Sequence, residues 1–210
     1  MTLLPEVELT TDEQKVSYGF GLQFGQQLLN NQFEGMDLDA VLAGVRHWFE
    51  QQQAVLTDDG ISPCYQVIQG KQSERAAQLA EHHSEEATQF MEENAAREEV
   101  TTTETGLQYE VLASGGGASP GPQATVITHY HGTLLDGTVF DSSVERNQPA
   151  EFGVHQVISG WTEALQMMSV GDKWRITCPP HLAYGERGAG EAIPPNTTLL
   201  FEIELIDIKG

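Results

Sequence analysis

Cysteine and basic residues are both scarce in this chain of 210 residues. The two cysteines, Cys64 and Cys178, are too few for a small secreted domain held together by disulfides, so both are expected to be free thiols. Lysine and arginine number 10 against 31 aspartates and glutamates, which gives a formal net charge of -21. A surface this negative repels phosphate backbones and anionic lipids, so neither nucleic acid nor a membrane is an expected partner.

Long hydrophobic runs are also missing. No stretch reaches the roughly 18 consecutive apolar residues of a membrane-spanning helix. The first residues, M-T-L-L-P-E-V-E-L-T, contain no basic segment followed by an apolar run, so an ordinary signal peptide is not expected. These absences predict a cytoplasmic protein, and residues 1–9 are expected to form a mobile tail.

Two amphipathic helices are predicted near the N-terminus. One extends from Asp12 to about Asn30, and a second extends from a capping residue, Asp37 or Asp39, to about Gln52. Their apolar faces consist of Val16, Phe20, Phe24 and Leu28, and of Val41, Leu42, Val45, Trp48 and Phe49. Each glycine inside the first helix costs about 1 kcal/mol relative to alanine. The glycines therefore favour a backbone that passes close to Gly19, Gly21 and Gly25 over the alternative, a merely weak helix.

A third helix is predicted to begin between Thr57 and Ser62 and to continue to about Glu99. Its middle, residues 71–89, is polar on nearly every side, which is typical of a helix that crosses solvent between two packed regions. The pattern divides the chain into an N-terminal helical region (1–56), a linking helix (57–100) and a C-terminal domain (101–210).

The N-terminal region is too small to bury a core of its own. Its apolar faces are expected to pair with a second copy of the chain, because homodimers dominate among soluble oligomers. Packing of these faces on the C-terminal domain of the same chain is the alternative, which the polar linking helix disfavours.

The C-terminal domain is predicted to be an antiparallel sheet with one short helix, so the fold class is α+β. Alternating segments between turn residues predict a helix at 160–168 and strands at 107–112, 125–134, 138–141, around 152, 173–178 and 199–208. Aromatic residues recur at the strand ends and can together line an apolar cleft. They are Tyr130, Phe140, Trp161, Tyr184 and Phe201. No pair of side chains in this stretch has the relationship of a nucleophile and its base.

Four motifs of this domain occur in order: Y-H-G-T-L-L-D-G-T-V-F-D-S-S (130–143), V-I-S-G-W (157–161), A-Y-G-E-R-G (183–188) and I-P-P-N-T-T-L-L-F-E-I-E-L (193–205). Together they closely resemble the FKBP-type peptidyl-prolyl cis-trans isomerases. The N-terminal stretch S-Y-G-F-G-L-Q-F-G-Q-Q-L, followed by a long helix, resembles the dimeric bacterial branch typified by the macrophage infectivity potentiator. The resemblance implies an antiparallel half-barrel wrapped over one short helix, with the active cleft between them.

The resemblance also implies apolar roles for residues that match the motifs. Trp161 would form the floor of the cleft, and Tyr130, Phe140 and Phe201 would form its walls. The rim would consist of Val157, Ile158 and Ile193.

Polar roles are implied in the same way. The Ile158 N–H would donate to a substrate carbonyl, and the Tyr184 hydroxyl would donate to the bound peptide. Asp141 would face the twisting amide with Arg146 as its ion partner; alternatively, it is only a turn residue paired with Arg146. Binding of immunosuppressive macrolides is also implied, but its strength stays open. Alanines stand where the best-studied single-domain members carry larger rings, at Ala150 and Ala189.

Rotation about an X–Pro bond breaks amide resonance against a barrier of about 18–20 kcal/mol. The twisted amide is less polar than the planar one, so an apolar cleft binds it better and accelerates the rotation. Such a mechanism needs no covalent intermediate, metal or cofactor. The expected substrates are proline-containing polypeptides during folding. Two alternatives stay open: a clamp-like dimer that acts as a holdase chaperone or binding module, and a structural dimer with an inactive pocket.

Overall fold

A computed structural model describes residues 7–209, and most of the tail expected at residues 1–9 lies outside them. The chain forms two compact units, Met1–Glu74 and Arg75–Gly210, and the boundary between them falls within one helix. No helix in the described part of the chain is both long enough and apolar enough to cross a membrane.

The N-terminal unit contains two helices and the first part of a third. Helix α1 (Asp12–Asn30) begins with a capping box, in which Thr11 and Gln14 each accept a hydrogen bond from the other's backbone N–H. Helix α2 (Leu38–Phe49) begins after Asp37, whose side chain accepts from the Ala40 N–H at 3.0 Å. Both predicted helices are confirmed, and Asp37 is the cap of the second.

The apolar faces of α1 and α2 are open in the single chain, since neither helix contains a buried residue. Trp48 and Phe49 are 89% and 87% exposed. The glycines of α1 predict a close backbone neighbour, but a Cβ placed on Gly19, Gly21 or Gly25 would meet no described atom within 4 Å. No described backbone of the same chain therefore approaches these glycines, and a close backbone neighbour stays a prediction for an assembly of more than one chain.

Helix α3 (Asp58–Ala95) crosses the unit boundary. Its polar composition predicts a helix surrounded by solvent. From residue 80 onward, however, one side of the helix contacts the C-terminal unit. Ala87 is 5% exposed, Asn94 donates to Gln108 Oε1 at 2.7 Å, and Gln108 Nε2 donates to Met91 O at 2.7 Å. Hydrogen bonds attach this part of α3 to the sheet of the C-terminal unit, on the side of the helix where Ala87 is buried and Phe90 and Met91 are half-buried.

Antiparallel strands form that sheet. They are β1 (Thr101–Thr102), β2 (Gln108–Ala113), β3 (Thr125–Thr133), β4 (Val139–Ser142), β5 (Ala150–Gly153), β6 (Lys173–Cys178) and β7 (Leu199–Lys209). Their order is β1-β2-β6-β7-β3-β4, and β5 also pairs with β3. Strand β3 therefore lies between β7 on one side and both β4 and β5 on the other.

Helix α4 (Ser159–Met167) packs against the inner face of the sheet. Its buried residues are Gly160, Trp161, Ala164 and Leu165. On β7, alternation buries Phe201, Ile203 and Leu205 in the same core. The predicted α+β architecture is confirmed. The sequence did not predict β1 or the short 3-10 helices at Val154–Gln156, Pro180–Leu182 and Gly185–Arg187.

Candidate active site

Strands β3 and β7 bring two aromatic side chains to the inner face of the sheet. Every second residue of β3 is buried, and Tyr130, in this register, is 6% exposed. Phe201 of β7 is 5% exposed and lies opposite Gly132 of β3. Strand alternation therefore directs both rings toward α4.

Gly132 leaves the space in which two rings meet. A Cβ at this position would lie 2.7 Å from Phe140 Cζ and 3.0 Å from Phe201 Cε1. Without it, the Phe140 and Phe201 rings pack edge to face with their centroids 5.4 Å apart. Strand β4 brings Phe140 to this place, because the next residue, Asp141, lies opposite Gly132.

Trp161, in the first turn of α4, contacts three other rings. Its ring centroid lies 5.3 Å from those of Tyr130 and Phe201 and 5.6 Å from that of Phe152, each time edge to face. Trp161 is 4% exposed, so it closes the inner end of a cleft of about 450 Å³. The cleft is lined by Tyr130, Phe140, Asp141, Phe152, Gln156, Val157, Ile158, Trp161, Tyr184 and Phe201.

Hydrogen bonds join three polar groups at the wall of the cleft. The Tyr130 hydroxyl donates to Asp141 Oδ2, and Arg146 Nη1 donates to Asp141 Oδ1. Arg146 Nη2 also donates to the Tyr130 hydroxyl oxygen at 2.9 Å. Arg146 does not line the cleft, so it influences the cleft through Asp141 and Tyr130.

These contacts change the pKa values of all three groups. Burial acts to raise the pKa of Asp141, but the hydrogen bonds from Tyr130 and Arg146 outweigh it and lower that pKa. Burial, together with the hydrogen bond to Asp141, raises the pKa of Tyr130. Hydrogen bonds to Asp141 and Tyr130 raise the pKa of Arg146. At neutral pH the cleft therefore contains an ionised carboxylate, a protonated phenol and a charged guanidinium nearby.

Two groups at the cleft can donate to a bound peptide. Ile158 immediately precedes α4, and its N–H has no acceptor among the described residues. Tyr184 is 42% exposed, and its hydroxyl makes no hydrogen bond within the described part of the chain. Both residues line the cleft, and neither donor has a competing acceptor among the described residues.

Ile193 lies outside the cleft, although the motif predicts it at the rim. It is 7% exposed and pairs with Ala189 in an isolated bridge, so its side chain packs in the core. Ala150 and Ala189 are half-buried against the core and do not line the cleft either.

Phe152 and Gln156 line the cleft although the sequence did not single them out. Phe152 lies on β5 opposite Val126 of β3, and its ring centroid is 5.7 Å from that of Tyr130. An isolated aromatic on a short strand is indistinguishable from an ordinary core residue. Gln156 ends a 3-10 helix whose position no sequence pattern indicates.

The described residues contain no cluster suited to hold a metal ion, and Cys178 is not placed to react as a thiol. No group of three or more histidines, cysteines, aspartates or glutamates there is arranged to hold a metal ion. His82 instead pairs with Glu86 at 3.3 Å along α3. Cys178 is buried, and burial raises the pKa of its thiol, so it is not poised as a nucleophile.

Two family profiles match the chain. Residues 116–206 match the family described as FKBP-type peptidyl-prolyl cis-trans isomerase. Residues 13–111 match a family described as the domain amino terminal to FKBP-type peptidyl-prolyl isomerase. The second match covers α1, α2 and α3, so the similarity is not confined to the sheet.

Individual relatives are similar over nearly the whole chain. The FKBP-type 22 kDa peptidyl-prolyl cis-trans isomerase of Escherichia coli (strain K12) is 46% identical over 198 residues, which cover 94% of this chain and 96% of that protein. The outer membrane protein MIP of Legionella longbeachae is 38% identical, over 100% of this chain and 91% of that protein. The crystal structure of FkpA from Escherichia coli matches with a TM-score of 0.70 and 34% identity, over 96% of this chain and 99% of that chain.

Proposed function

The chain belongs to the FKBP-type peptidyl-prolyl cis-trans isomerases, and from this premise we propose that the cleft between β3, β7 and α4 is where it isomerises X–Pro bonds. The observation that carries the proposal is the convergence of aromatic rings from separate elements on one cleft of about 450 Å³. The substrates are proline-containing polypeptides, and the proposed setting is their folding.

The apolar lining supports a mechanism based on differential binding. Unaided rotation takes tens to hundreds of seconds, because the planar amide is stabilised by resonance. Rings of Tyr130, Phe140, Trp161 and Phe201 replace water around the prolyl group. The twisted amide, which has lost charge separation, loses less by leaving water than the planar amide does.

The polar groups are proposed to orient the peptide. The Ile158 N–H donates to a substrate carbonyl, and Tyr184 donates its hydroxyl, so the chain on one side of the bond is held while the other side turns. Both oxygens of Asp141 already accept hydrogen bonds, from Tyr130 and Arg146. This supports an orienting role for Asp141, which fixes the Tyr130 ring and places a negative charge beside the cleft.

The test compares two neighbours on β4. Phe140 lies in the cleft, whereas Val139 is 39% exposed and does not line it. Phe140→Ala is expected to lower kcat/KM for a peptide with one X–Pro bond by roughly tenfold or more, which corresponds to about 1.4 kcal/mol of transition-state stabilisation. Val139→Ala is expected to retain the wild-type rate. Equal rates in the two variants would show that the cleft is assigned wrongly.

A homodimer through α1 and α2 is the assembly that we propose. Its support is the exposure of Trp48, Phe49 and Phe20, which are 89%, 87% and 66% exposed in the single chain. Monomers rarely expose large apolar patches of this kind. The open glycine face of α1 allows a partner backbone to approach closely, and a groove of about 430 Å³ beside Trp48 offers a recess for a partner side chain.

A holdase chaperone or binding module is the second candidate, favoured by the same exposed aromatic residues. A double variant, Trp48→Ser with Phe49→Ser, separates the candidates in the full-length chain. If unfolded clients are held by this surface or by the clamp-like dimer that it forms, the variant assists refolding of a proline-limited protein less well but isomerises a short peptide at the wild-type rate. If the isomerase acts alone, both activities stay unchanged.

The cytoplasm is the proposed location. Cys64 is exposed and free, and such a thiol persists in a reducing compartment. Fractionation of native cells with markers for cytoplasm, periplasm and membranes tests this location. Recovery in a membrane fraction, as the name of the Legionella longbeachae relative suggests for that protein, would contradict it.

A further inference from the structure

Tyr184 belongs to a loop of residues 183–198, the cleft loop, which folds back on itself. The Asn196 N–H donates to Gly185 O at 2.9 Å, so the far end of the loop is bonded to the residue that follows Tyr184. Among the proposed donors to the substrate, Tyr184 alone lies on this loop. Its position therefore depends on how the Asn196 end is held.

Two hydrogen bonds attach that end to α3. Asn196 Nδ2 donates to Ala80 O at 3.4 Å, and His83 Nδ1 lies 3.2 Å from Pro195 O. Because a carbonyl oxygen only accepts, the His83 ring carries a hydrogen on Nδ1 in this contact. All four residues belong to the unit Arg75–Gly210.

The part of α3 that makes these contacts is itself fixed to the sheet. Asn94 donates to Gln108 Oε1 at 2.7 Å and to Thr177 Oγ1 at 3.3 Å, and Ala87 is buried. Gln108 donates in turn to Met91 O at 2.7 Å. The helix therefore supplies the cleft loop with a support that is anchored on strands β2 and β6.

Asn196 combines two properties at this position. Its φ of +57° is in the left-handed region, which asparagine adopts more readily than most residues other than glycine. Its side chain also reaches the helix. An asparagine is therefore suited both to the turn and to the contact with Ala80.

We propose that His83 and Asn196 are positioning residues of the isomerase: they hold the cleft loop against α3 and thereby hold the Tyr184 hydroxyl at the cleft. The proposal rests on the proposed function, because the role of Tyr184 comes from it. Since a hydrogen bond to the peptide forms in the ground state and persists in the transition state, its loss raises KM and leaves kcat nearly unchanged.

The experiment uses point variants of the full chain. His83→Ala removes the donor, and His83→Asn replaces it with an amide that can donate to the same carbonyl. Asn196→Gly keeps the left-handed backbone without the side chain, whereas Asn196→Asp keeps the side-chain shape without the donor. His82→Ala is the matched control, because His82 pairs with Glu86 of the same helix and, unlike His83, makes no hydrogen bond to the cleft loop.

We expect His83→Ala, Asn196→Gly and Asn196→Asp to raise KM for a proline peptide by roughly three- to tenfold, the order contributed by one positioning hydrogen bond. Amide hydrogen exchange in residues 183–198 is expected to accelerate in the same variants. His83→Asn recovers at least part of the wild-type KM, and His82→Ala changes neither quantity. An unchanged KM in Asn196→Asp, or an equal effect of His82→Ala, overturns the proposal.

A double-variant comparison separates this proposal from the proposed function. If His83 acts through Tyr184, His83→Ala raises KM in the wild type but adds nothing to Tyr184→Phe. Full additivity of the two changes overturns the proposal. If Tyr184→Phe alone has no effect while the exchange of the loop still responds to His83→Ala, the role given to Tyr184 is wrong and the attachment of the loop stands.

Discussion

At the scale of single residues, Gly132 determines how closely two rings of the cleft pack. A Cβ at this position would lie 2.7 Å from Phe140 Cζ and 3.0 Å from Phe201 Cε1, so one ring has to move. Gly132→Ala is expected to lower kcat/KM for a proline peptide by roughly tenfold, because small displacements of groups around the reacting bond are costly. Gly121→Ala serves as the control, since a Cβ there meets no described atom within 4 Å. Equal kcat/KM values for Gly132→Ala and the wild type would show that the ring pair tolerates displacement.

Asp141 gives the cleft a defined response to acid. Its pKa is lowered because the hydrogen bonds from Tyr130 and Arg146 outweigh the effect of burial. The ion pair therefore contributes stability above the unfolded pKa of aspartate, about 3.9, and this contribution is lost as the pH falls through the lower folded value.

The pH dependence is measured as the ratio of kcat/KM between the wild type and Asp141→Asn. We expect the ratio to be constant above about pH 5 and to change only in acid below about pH 4, where the carboxylate of the wild type gains a proton. The ratio cancels the titration of histidines that both proteins share. A change between pH 5 and 8 would contradict a lowered pKa for Asp141.

Most residues that line the cleft can be predicted from the sequence, because the aromatic ones belong to recognisable motifs. The remaining ones depend on which strands and turns pair with each other in the fold. Phe152 enters the lining because β5 shares an edge of β3 with β4, which no local pattern shows. Ile193 does not line the cleft, because the turn that pairs it with Ala189 directs its side chain into the core. Pairings between distant segments decide both cases.

At the scale of secondary structure, the attachment of α3 depends on Asn94. Gln108 and Thr177 are 2% and 3% exposed, and Asn94 donates to both side chains. Asn94→Ala leaves buried acceptors without a donor, so the free energy of unfolding is expected to fall by about 1–3 kcal/mol. Urea denaturation followed by tryptophan fluorescence measures this change.

Gln89→Ala is the matched control for Asn94→Ala. Gln89 is exposed on the same helix and donates to Glu93 of α3 at 2.8 Å. Its replacement by alanine is expected to change the free energy of unfolding by less than about 0.5 kcal/mol. If both variants unfold at the same urea concentration as the wild type, the buried hydrogen bonds of Asn94 do not fasten the helix.

Helices and strands with a regular spacing of apolar residues can be predicted in this chain. Contacts made by hydrogen bonds between polar side chains cannot. Alternation gives β6 its observed bounds, Lys173–Cys178, and a four-residue period gives α1 as Asp12–Asn30. The attachment of α3 to the sheet is harder to predict, because hydrogen bonds such as that from Asn94 to Gln108 contribute to it and leave no periodic pattern in the sequence. Strand β1, Thr101–Thr102, is too short to show any period.

At the scale of the whole molecule, charge and apolar surface oppose each other in the proposed dimer. Each chain has a formal net charge of -21, so two copies repel. Against this, full burial of a large apolar side chain contributes about 1.5–3 kcal/mol. Trp48 and Phe49 are both almost fully exposed in the single chain, so their burial in the dimer interface would contribute the most free energy.

The balance predicts that salt strengthens the dimer. Raising the ionic strength from about 0.01 M to 0.15 M shortens the Debye length from about 30 Å to 8 Å and screens the repulsion between the copies. Sedimentation equilibrium is expected to show a dissociation constant that falls with salt, and one that is at least roughly tenfold higher in Trp48→Ser/Phe49→Ser at every salt concentration. A dissociation constant that rises with salt would instead indicate an interface held by ion pairs, and an unchanged constant in the double variant would place the interface elsewhere.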